Sequence, residues 1–329
     1  MEQEASEFLR ALRGSRSQVQ LARRVGYRGN PVTDWERGER FPTAEEALRI
    51  ASLCGVDVAA AFARFAPAIP IALSQSSALA AWLSAWRGAI PLVELAARVG
   101  ASRFSVARWL SGAAKPRLPE FFRLLDALTG RLPEWAAEFV PIESLPSLVG
   151  RFRAAEAAKR LAFELPWSEA LLRVLETDGY RKPRRRGVSY IAACLGIPNA
   201  EVEACLQKLL VADVIEKRGR TYGVKSQSAV DTRGGQAALR ALKRHWSLVA
   251  AERTLSPRAG DFLAYNLISV SNEDLVRIRD LLGRTFREIR TLVAASKPEQ
   301  EAALINLQVV TFDCPEPRGP SVHARDRRA

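Results

Sequence analysis

The side chains equipped for covalent or metal chemistry are sparse in this 329-residue chain, and they are badly spaced for it. Histidine occurs only as His245 and His323. The four cysteines, Cys54, Cys194, Cys205 and Cys314, lie far apart with no C-x-x-C pair, so neither a metal cluster nor a disulfide framework is expected. Cys54, Cys194 and Cys205 each sit among apolar residues in a helical pattern, which predicts buried, reduced thiols and a reducing compartment. No nucleophile lies beside a base, and no G-x-x-x-x-G-K-S/T phosphate loop occurs. The chain therefore reads as a non-enzyme that uses no cofactor.

What it has in quantity is positive charge. Lys and Arg number 49 against 36 Asp and Glu, giving a net charge of +13 and a pI near 10.2. Each cation set against a phosphate releases a counterion, so a polyanionic partner is favoured. The excess is concentrated in residues 181–225, which hold ten Lys/Arg and four Asp/Glu. Arg184, Arg185 and Arg186 lie in one cluster there, with Arg218 and Arg220 in a second. Phosphate contacts and a solvated loop are both open readings of this charge.

A chain of this length divides into two or three domains. The N-terminal 140 residues contain a repeat. Gln20-Leu21-Ala22-Arg23-Arg24-Val25-Gly26 matches Glu94-Leu95-Ala96-Ala97-Arg98-Val99-Gly100 at an offset of 74. The same offset, without a gap, sets Val32 on Val106, Trp35 on Trp109, Gly38 on Gly112 and Pro42 on Pro116. Ala22 and Ala96 are small enough for two helices to cross closely. Gly26 and Gly100 supply the left-handed conformation of a sharp helix end. Val32 and Trp35, three apart, face the core from the next helix, as do Val106 and Trp109. The prolines then stop further continuation.

Helix, glycine turn and helix at these spacings follow helix-turn-helix logic. From Ser17-Gln18-Val19-Gln20-Leu21-Ala22 through Asp34-Trp35-Glu36-Arg37-Gly38 to Pro42, the first copy resembles the Cro and phage-repressor type, also called XRE. The resemblance covers about 55 residues. It implies that Gln18 opens the second helix and contacts the DNA backbone or a base edge, with the start of the third helix in the major groove. Tyr27-Arg28-Gly29-Asn30-Pro31 replaces that family's usual Ser-Arg-Ser/Thr run, so the third helix is expected to begin late, with Asn30 as N-cap and Pro31 first in the helix. The implied contacts are Gln18, Arg28, Asn30, Thr33, Asp34 and Arg37. In the second copy Ser102 is the expected cap, with Arg103, Phe104, Ala107 and Arg108 toward the groove and Lys115 and Arg117 near phosphates. The second copy lacks the equivalent of Gln18, which leaves a structural or dimer-forming role open beside DNA contact.

Beyond residue 166 the pattern changes. Short helices are expected at Ala170-Leu171-Leu172 with Val174-Leu175, ending at Asp178-Gly179, and at Val188–Leu195 and Asn199–Val211, the last capped by Asn199, and then a hairpin across Arg218-Gly219. Three helices and a hairpin make a winged helix; Glu201 and Glu203 oppose DNA entry, so a protein-contact module is an equally open reading of this unit. A helix over 236–253 follows, and then a strand at Phe262–Val270. Ser271 opens a helix carrying Leu275, Ile278, Leu282, Phe286, Ile289 and Val293, and a second strand is expected at Ala303–Phe312. Two strands cannot bury their own edges, so a partner copy or the preceding helix must cover them, and homodimerisation is the economical answer for what reads as a dimerisation or sensor domain. Trp167, Glu216–Val224, the helix bearing His245-Trp246, and Asn306-Leu307-Gln308 together resemble a bacterial family of uncharacterised C-terminal domains found in proteins read as transcriptional regulators.

The resulting expectation is a mainly α fold: two tandem XRE-like helix-turn-helix bundles, a winged helix and a small α+β C-terminal domain. The expected boundaries are 1–66, a linker at 67–74, 75–140, a connecting helix at 141–166, 167–225, 226–313 and a disordered tail at 314–329. The uncharged stretch Phe65–Trp86 is broken by Pro67 and Pro70 and is not expected to span a membrane. The acidic Met1-Glu2-Gln3-Glu4 start is unlike an export signal. The expected protein is a cytoplasmic, nucleoid-associated transcriptional regulator with double-stranded DNA as its partner, acting as a homodimer. The alternative is a protein-interaction scaffold or antitoxin-like chain whose helical units bind an unknown protein.

Overall fold

The protein is seen in a computed structural model that describes residues 1–67, 69–72, 77–88, 90–182, 187–219, 221–225 and 236–312. It is mainly helical, with one two-stranded sheet among the described residues. Arg184, Arg185, Arg186, Arg220, Cys314, His323 and the 314–329 tail lie outside the described residues.

The 74-residue offset recurs helix by helix. The first five are α1 (Glu2–Arg13), α2 (Gln18–Val25), α3 (Val32–Arg37), α4 (Ala44–Leu53) and α5 (Val58–Phe65). The next five are α6 (Ala78–Arg87), α7 (Leu92–Val99), α8 (Arg103–Ser111), α9 (Leu118–Thr129) and α10 (Leu132–Ala137). Adding 74 to α2 gives α7 at both ends, and the first residues of α4 and α5 fall on those of α9 and α10. Gly26 and Gly100 both end their helices with positive φ, 95° and 69°, where a side chain would be strained. Local sequence alone therefore produces the same reversal twice.

The two sets of helices are joined by contacts between equivalent positions. Thr43 and Arg117 form an antiparallel bridge, Ala44 N donates to Pro116 O at 2.9 Å, and Leu118 N donates to Pro42 O at 3.0 Å. Each member of that pair of bonds is the other shifted by 74 residues. Only a local twofold relation pairs equivalent residues in both directions. Arg64 obeys the same rule, since its Nε donates to Glu138 Oε2 at 2.6 Å.

The core crosses this junction. Trp135 of α10 is fully buried, with its ring centroid 5.6 Å from Phe8 of α1, 6.0 Å from Phe62 of α5, and 5.2 and 5.8 Å from Phe121 and Phe122 of α9. Val32 and Trp35 are buried as the spacing predicts, whereas Trp109 is half-buried. A long helix, α11 (Pro146–Glu164), then leaves this core, pinned by Glu7, whose carboxylate accepts from Ser147 N at 3.0 Å and Ser147 Oγ at 2.7 Å.

A second core follows, built from α12 (Trp167–Glu176), α13 (Asp178–Arg181), α14 (Val188–Leu195), α15 (Asn199–Val211) and a hairpin of β1 (Ile215–Arg218) and β2 (Thr221–Val224). The hairpin pairs Ile215 with Val224 and Arg218 with Thr221, and Tyr180 Oη accepts from Tyr222 N at 3.0 Å. The helix bounds at Val188–Leu195 and Asn199–Val211 are those predicted. The cap is not: Pro198 is the N-cap of α15, and Asn199 turns its amide to Ser189 Oγ at 3.4 Å. Of the three thiols predicted to be buried, only Cys205 is. Cys54, which caps the end of α4, and Cys194 are half-buried.

The largest departure lies at the C-terminal end. After α16 (Gln236–Leu255), residues 262–270 and 303–312 form no strand, because their backbone groups find no ladder partner among the described residues. Both runs are exposed, as is most of α17 (Asn272–Ala295) between them, which Ser271 caps as predicted by accepting from Asp274 N. No helix among the described residues is long and apolar enough to cross a membrane.

The shared aromatic core makes a prediction. Trp135→Ala should destabilise the N-terminal bundle by about 3–5 kcal/mol. Hydrogen exchange should then show protection falling together in α1–α5 and α6–α10. Loss confined to α6–α10 would mean that the two sets fold independently.

Candidate nucleic-acid interface

The first site is assembled by α2, the turn after it and α3. Ser17 and Gln20 form a reciprocal capping box: Ser17 Oγ accepts from Gln20 N at 3.2 Å, and Gln20 Oε1 accepts from Ser17 N at 2.8 Å. This fixes Gln18 as the first residue of α2. Gly26 then reverses the chain. Tyr27 packs edge-on against Trp35, with ring centroids 5.7 Å apart, and donates its hydroxyl hydrogen to Glu46. With Tyr27 anchored, Arg28, Gly29 and Asn30 stand exposed.

Helix α3 starts at Val32, late as predicted, but its N-cap is Pro31 and no side chain caps it. Asn30 is therefore not the cap. Its Nδ2 donates to Thr33 Oγ1 at 2.8 Å, Thr33 Oγ1 donates to Gln18 Oε1 at 2.9 Å, and Gln18 Nε2 donates to Glu36 Oε2 at 2.8 Å. The chain of bonds ends on a buried carboxylate, since the Glu36 side chain is only 6% exposed. Arg13 Nε donates to Glu36 Oε1 at 2.5 Å, Arg13 Nη2 to Oε2 at 3.3 Å, and Arg10 Nη2 to the Glu36 carbonyl at 3.0 Å.

Burial by itself would raise the Glu36 pKa. Hydrogen bonds from Arg13 and Gln18, with the charges of Arg13 and Arg10, outweigh it and hold the carboxyl below the usual glutamate range. Glu36 is thus ionised and fully engaged, and it orients Gln18. Of the six residues implied in this unit, Gln18, Asn30 and Thr33 form one hydrogen-bonded row. Arg28 and Arg37 are exposed nearby in sequence, and Asp34 is half-buried.

The second set keeps the backbone and changes the chemistry. Ser102 caps α8 as predicted, accepting from Ser105 N at 3.0 Å. At an offset of 74, Leu92, Phe104, Ala107 and Leu110 stand where Gln18, Asn30, Thr33 and Glu36 stand in the first set. The polar row is therefore absent, and the Nε of Arg87, the equivalent of Arg13, is buried with no hydrogen-bond partner. What α8 presents instead is Phe104, 73% exposed with the Arg103 guanidinium 5.4 Å over its ring, together with exposed Arg108 and half-buried Ala107.

The remaining candidate cations are already engaged or undescribed. Lys115 pairs with Glu45, Arg117 donates to the Phe41 carbonyl at the twofold junction, and Arg218 Nε donates to Glu216 Oε1 at 2.7 Å. In the second core, burial pushes the Cys205 thiol up to about 11, with the charge of Glu201 adding to it, so this thiol stays protonated and unreactive.

Arg13 and Glu36 are the functional residues that the sequence reading missed. A signal was present: Val32, Trp35 and Glu36 share the i, i+3, i+4 pattern of a buried face, which makes Glu36 a buried acid in need of a cation. Arg10 and Arg13, three apart on α1, share one helix face and supply it.

Against known families, residues 4–62 match the helix-turn-helix domain. No curated protein and no solved structure matches the chain. The match covers α1 through most of α5, including the Gln18–Glu36 row, and it suggests DNA as a partner.

Removing the buried charge should be costly. Glu36→Gln should cost about 3–5 kcal/mol at neutral pH, because it leaves Arg13 without its carboxylate. The folded-state pKa of Glu36 is depressed, so its contribution is present above the ordinary glutamate range of about 4.3 and is lost as pH falls through the folded value. In urea titrations the gap between wild type and Glu36→Gln should therefore be widest at neutral pH and close in acid. A gap independent of pH would refute the charged role.

Proposed function

We propose that the chain is a sequence-specific DNA-binding transcriptional regulator, not an enzyme, and that its N-terminal ten helices act as a dimer-like reading head within one polypeptide. The observation that carries this reading is the exchange of equivalent bonds at Thr43 and Arg117. A twofold relation between the two helix sets relates α3 to α8, as two subunits relate their recognition helices in a protein that reads a palindrome.

In this reading α3 enters one major groove. Gln18, held by Glu36, and Thr33 sit at the groove edge, while Asn30 and Arg28 reach base edges. Amide and guanidinium groups suit adenine and guanine respectively, because each can make two bonds to the base edge in the major groove. Arg37 lies toward phosphate. The second helix set also reads DNA, through different groups: Phe104 offers apolar contact to a thymine methyl, and Arg103 and Arg108 offer cations. The operator is then a pseudo-palindrome with two unlike halves.

The three helices and hairpin of residues 167–225 are a winged helix in this account. Arg184, Arg185, Arg186 and Arg220 supplement its phosphate contacts, and Arg218 contributes less because Glu216 holds it. A homodimer through the C-terminal residues would bring two such heads to an extended operator in the cytoplasm.

Gel-shift titration over a range of salt concentrations tests this. Arg28→Ala should cost about 1–3 kcal/mol and relax specificity at one base pair of one half-site. Arg37→Ala should weaken binding equally on all sequences and reduce the salt slope by about 1. Phe104→Ala should affect only the other half-site. If it leaves DNA binding intact on every sequence, the second set is a protein-contact surface instead, as in a scaffold or antitoxin-like chain.

A further inference from the structure

Seventeen of the twenty-three large apolar side chains that stand exposed among the described residues fall between Phe262 and Phe312. They include Phe262 at 90%, Tyr265 at 91% and Phe312 at 78% exposure. This density is unlike the rest of the molecule. It coincides with two runs, 262–270 and 303–312, whose backbone amides and carbonyls make no backbone hydrogen bond among the described residues. Between them lies α17, whose stripe of Leu275, Ile278, Leu282 and Ile289 is only half-covered, with Val293 exposed.

We propose that residues 261–312 form an intertwined unit with the same residues of a second copy of this chain. The runs of each copy pair as strands with the runs of the other, and each α17 lays its stripe across the joint sheet. This deepens the homodimer part of the proposed function and rests on it.

Three observations select a second copy as the occupant. First, the missing parts are the parts present: a partner must bring strand-forming runs of nine or ten residues and an apolar helix face of matching length. One copy supplies that set to its mate, and a twofold exchange satisfies both at once. Four strands also meet the size at which a sheet with a covered face becomes stable, which two do not. Second, the area is sufficient. The four rings among them, Phe262, Tyr265, Phe286 and Phe312, have on the order of 150–250 Å² each to bury, and with thirteen Leu, Ile and Val side chains beside them the set can exceed the ~800 Å² per partner of a standard interface. Third, the net charges fit. Arg277 already pairs with Glu273 and Asp274, but by sequence the first half of α17, residues 272–283, carries three acids and two arginines and the second half, 284–295, three arginines and one acid, so an antiparallel mate sets a net acidic half against a net basic one.

The unit is also tied to the body of the protein. Gln308 Nε2 donates to Ser247 Oγ of α16 at 2.5 Å, and Asp178 N donates to Glu299 O at 2.7 Å. Pairing at the C-terminal end would thereby reach the helices at 167–181 and not hang from a free tether.

The test uses the full chain without DNA, so that it is independent of the operator-binding reading. Light scattering should return twice the 36.3 kDa chain mass, and hydrogen exchange should show protected amides in both 262–270 and 303–312. The double variant Leu267→Lys with Leu307→Lys should halve the mass and expose those amides, with protection in α1–α15 unchanged. A single-chain mass at every concentration would overturn the proposal. So would a double mass with freely exchanging runs, which places the interface elsewhere. Protected runs in a single-chain species would mean that the two strands pair within one chain, and would overturn it equally.

Discussion

A carboxylate withdrawn from water must be surrounded by donors, and the cluster around Glu36 joins three separate pieces of chain. Arg13 comes from α1, Gln18 from α2, and Glu36 itself from α3. The helix-turn-helix is usually described as an apolar packing of three helices, and here Leu21, Val25, Val32 and Trp35 do pack that way. Packing alone leaves a surface amide free to rotate. By accepting the Gln18 Nε2 hydrogen, Glu36 sets which way the Gln18 amide faces, and the remaining oxygen of that amide orders Thr33 and, through it, Asn30. A pre-oriented row loses less side-chain entropy on meeting a ligand than a mobile one does. The cost is an ion pair that stabilises little by itself but leaves a stranded charge if broken.

The second helix set shows the same backbone without that constraint. Its glycine-ended turn, its serine cap and its contacts across the junction survive, yet Leu110 replaces the buried acid and Ala107 the threonine. A hydrophobic residue at this position fills the same space, and the helices keep their places although the Arg87 Nε is left buried without a hydrogen-bond partner. The surface does not keep its chemistry, and the exposed face of α8 passes from amide and hydroxyl to aromatic ring and guanidinium. Repetition of the fold with divergence of the surface is what an asymmetric reader requires.

The helices and their glycine ends were legible in the sequence because local interactions set them: Ser17 and Ser102 cap, Gly26 and Gly100 reverse, and the apolar spacing marks the buried faces. The twofold junction was only half legible. The repeat gave the offset, but nothing local says that Pro42 and Pro116 accept bonds across it. Asn30 misled because asparagine before proline is a good cap in isolation, and here its amide is drawn to Thr33. The two C-terminal runs read as strands from their composition, yet they form none among the described residues, because a strand needs a partner to complete its ladder. Side-chain spacing carries no information on where that partner lies. The spacing of Val32, Trp35 and Glu36 marks Glu36 as a buried acid in need of a cation, but which cation meets it is relational and follows only once α1 and α3 are known to touch.

The central claim is that one chain reads two unlike half-sites through α3 and α8. Selection of bound duplexes from a random pool by the full-length protein, followed by sequencing, tests it most directly. The account predicts an enriched site with two different half-sites whose centres lie about one helical turn, roughly 34 Å, apart. No enrichment above non-specific binding at moderate salt, or a single half-site unaffected by any change in α8, would contradict it.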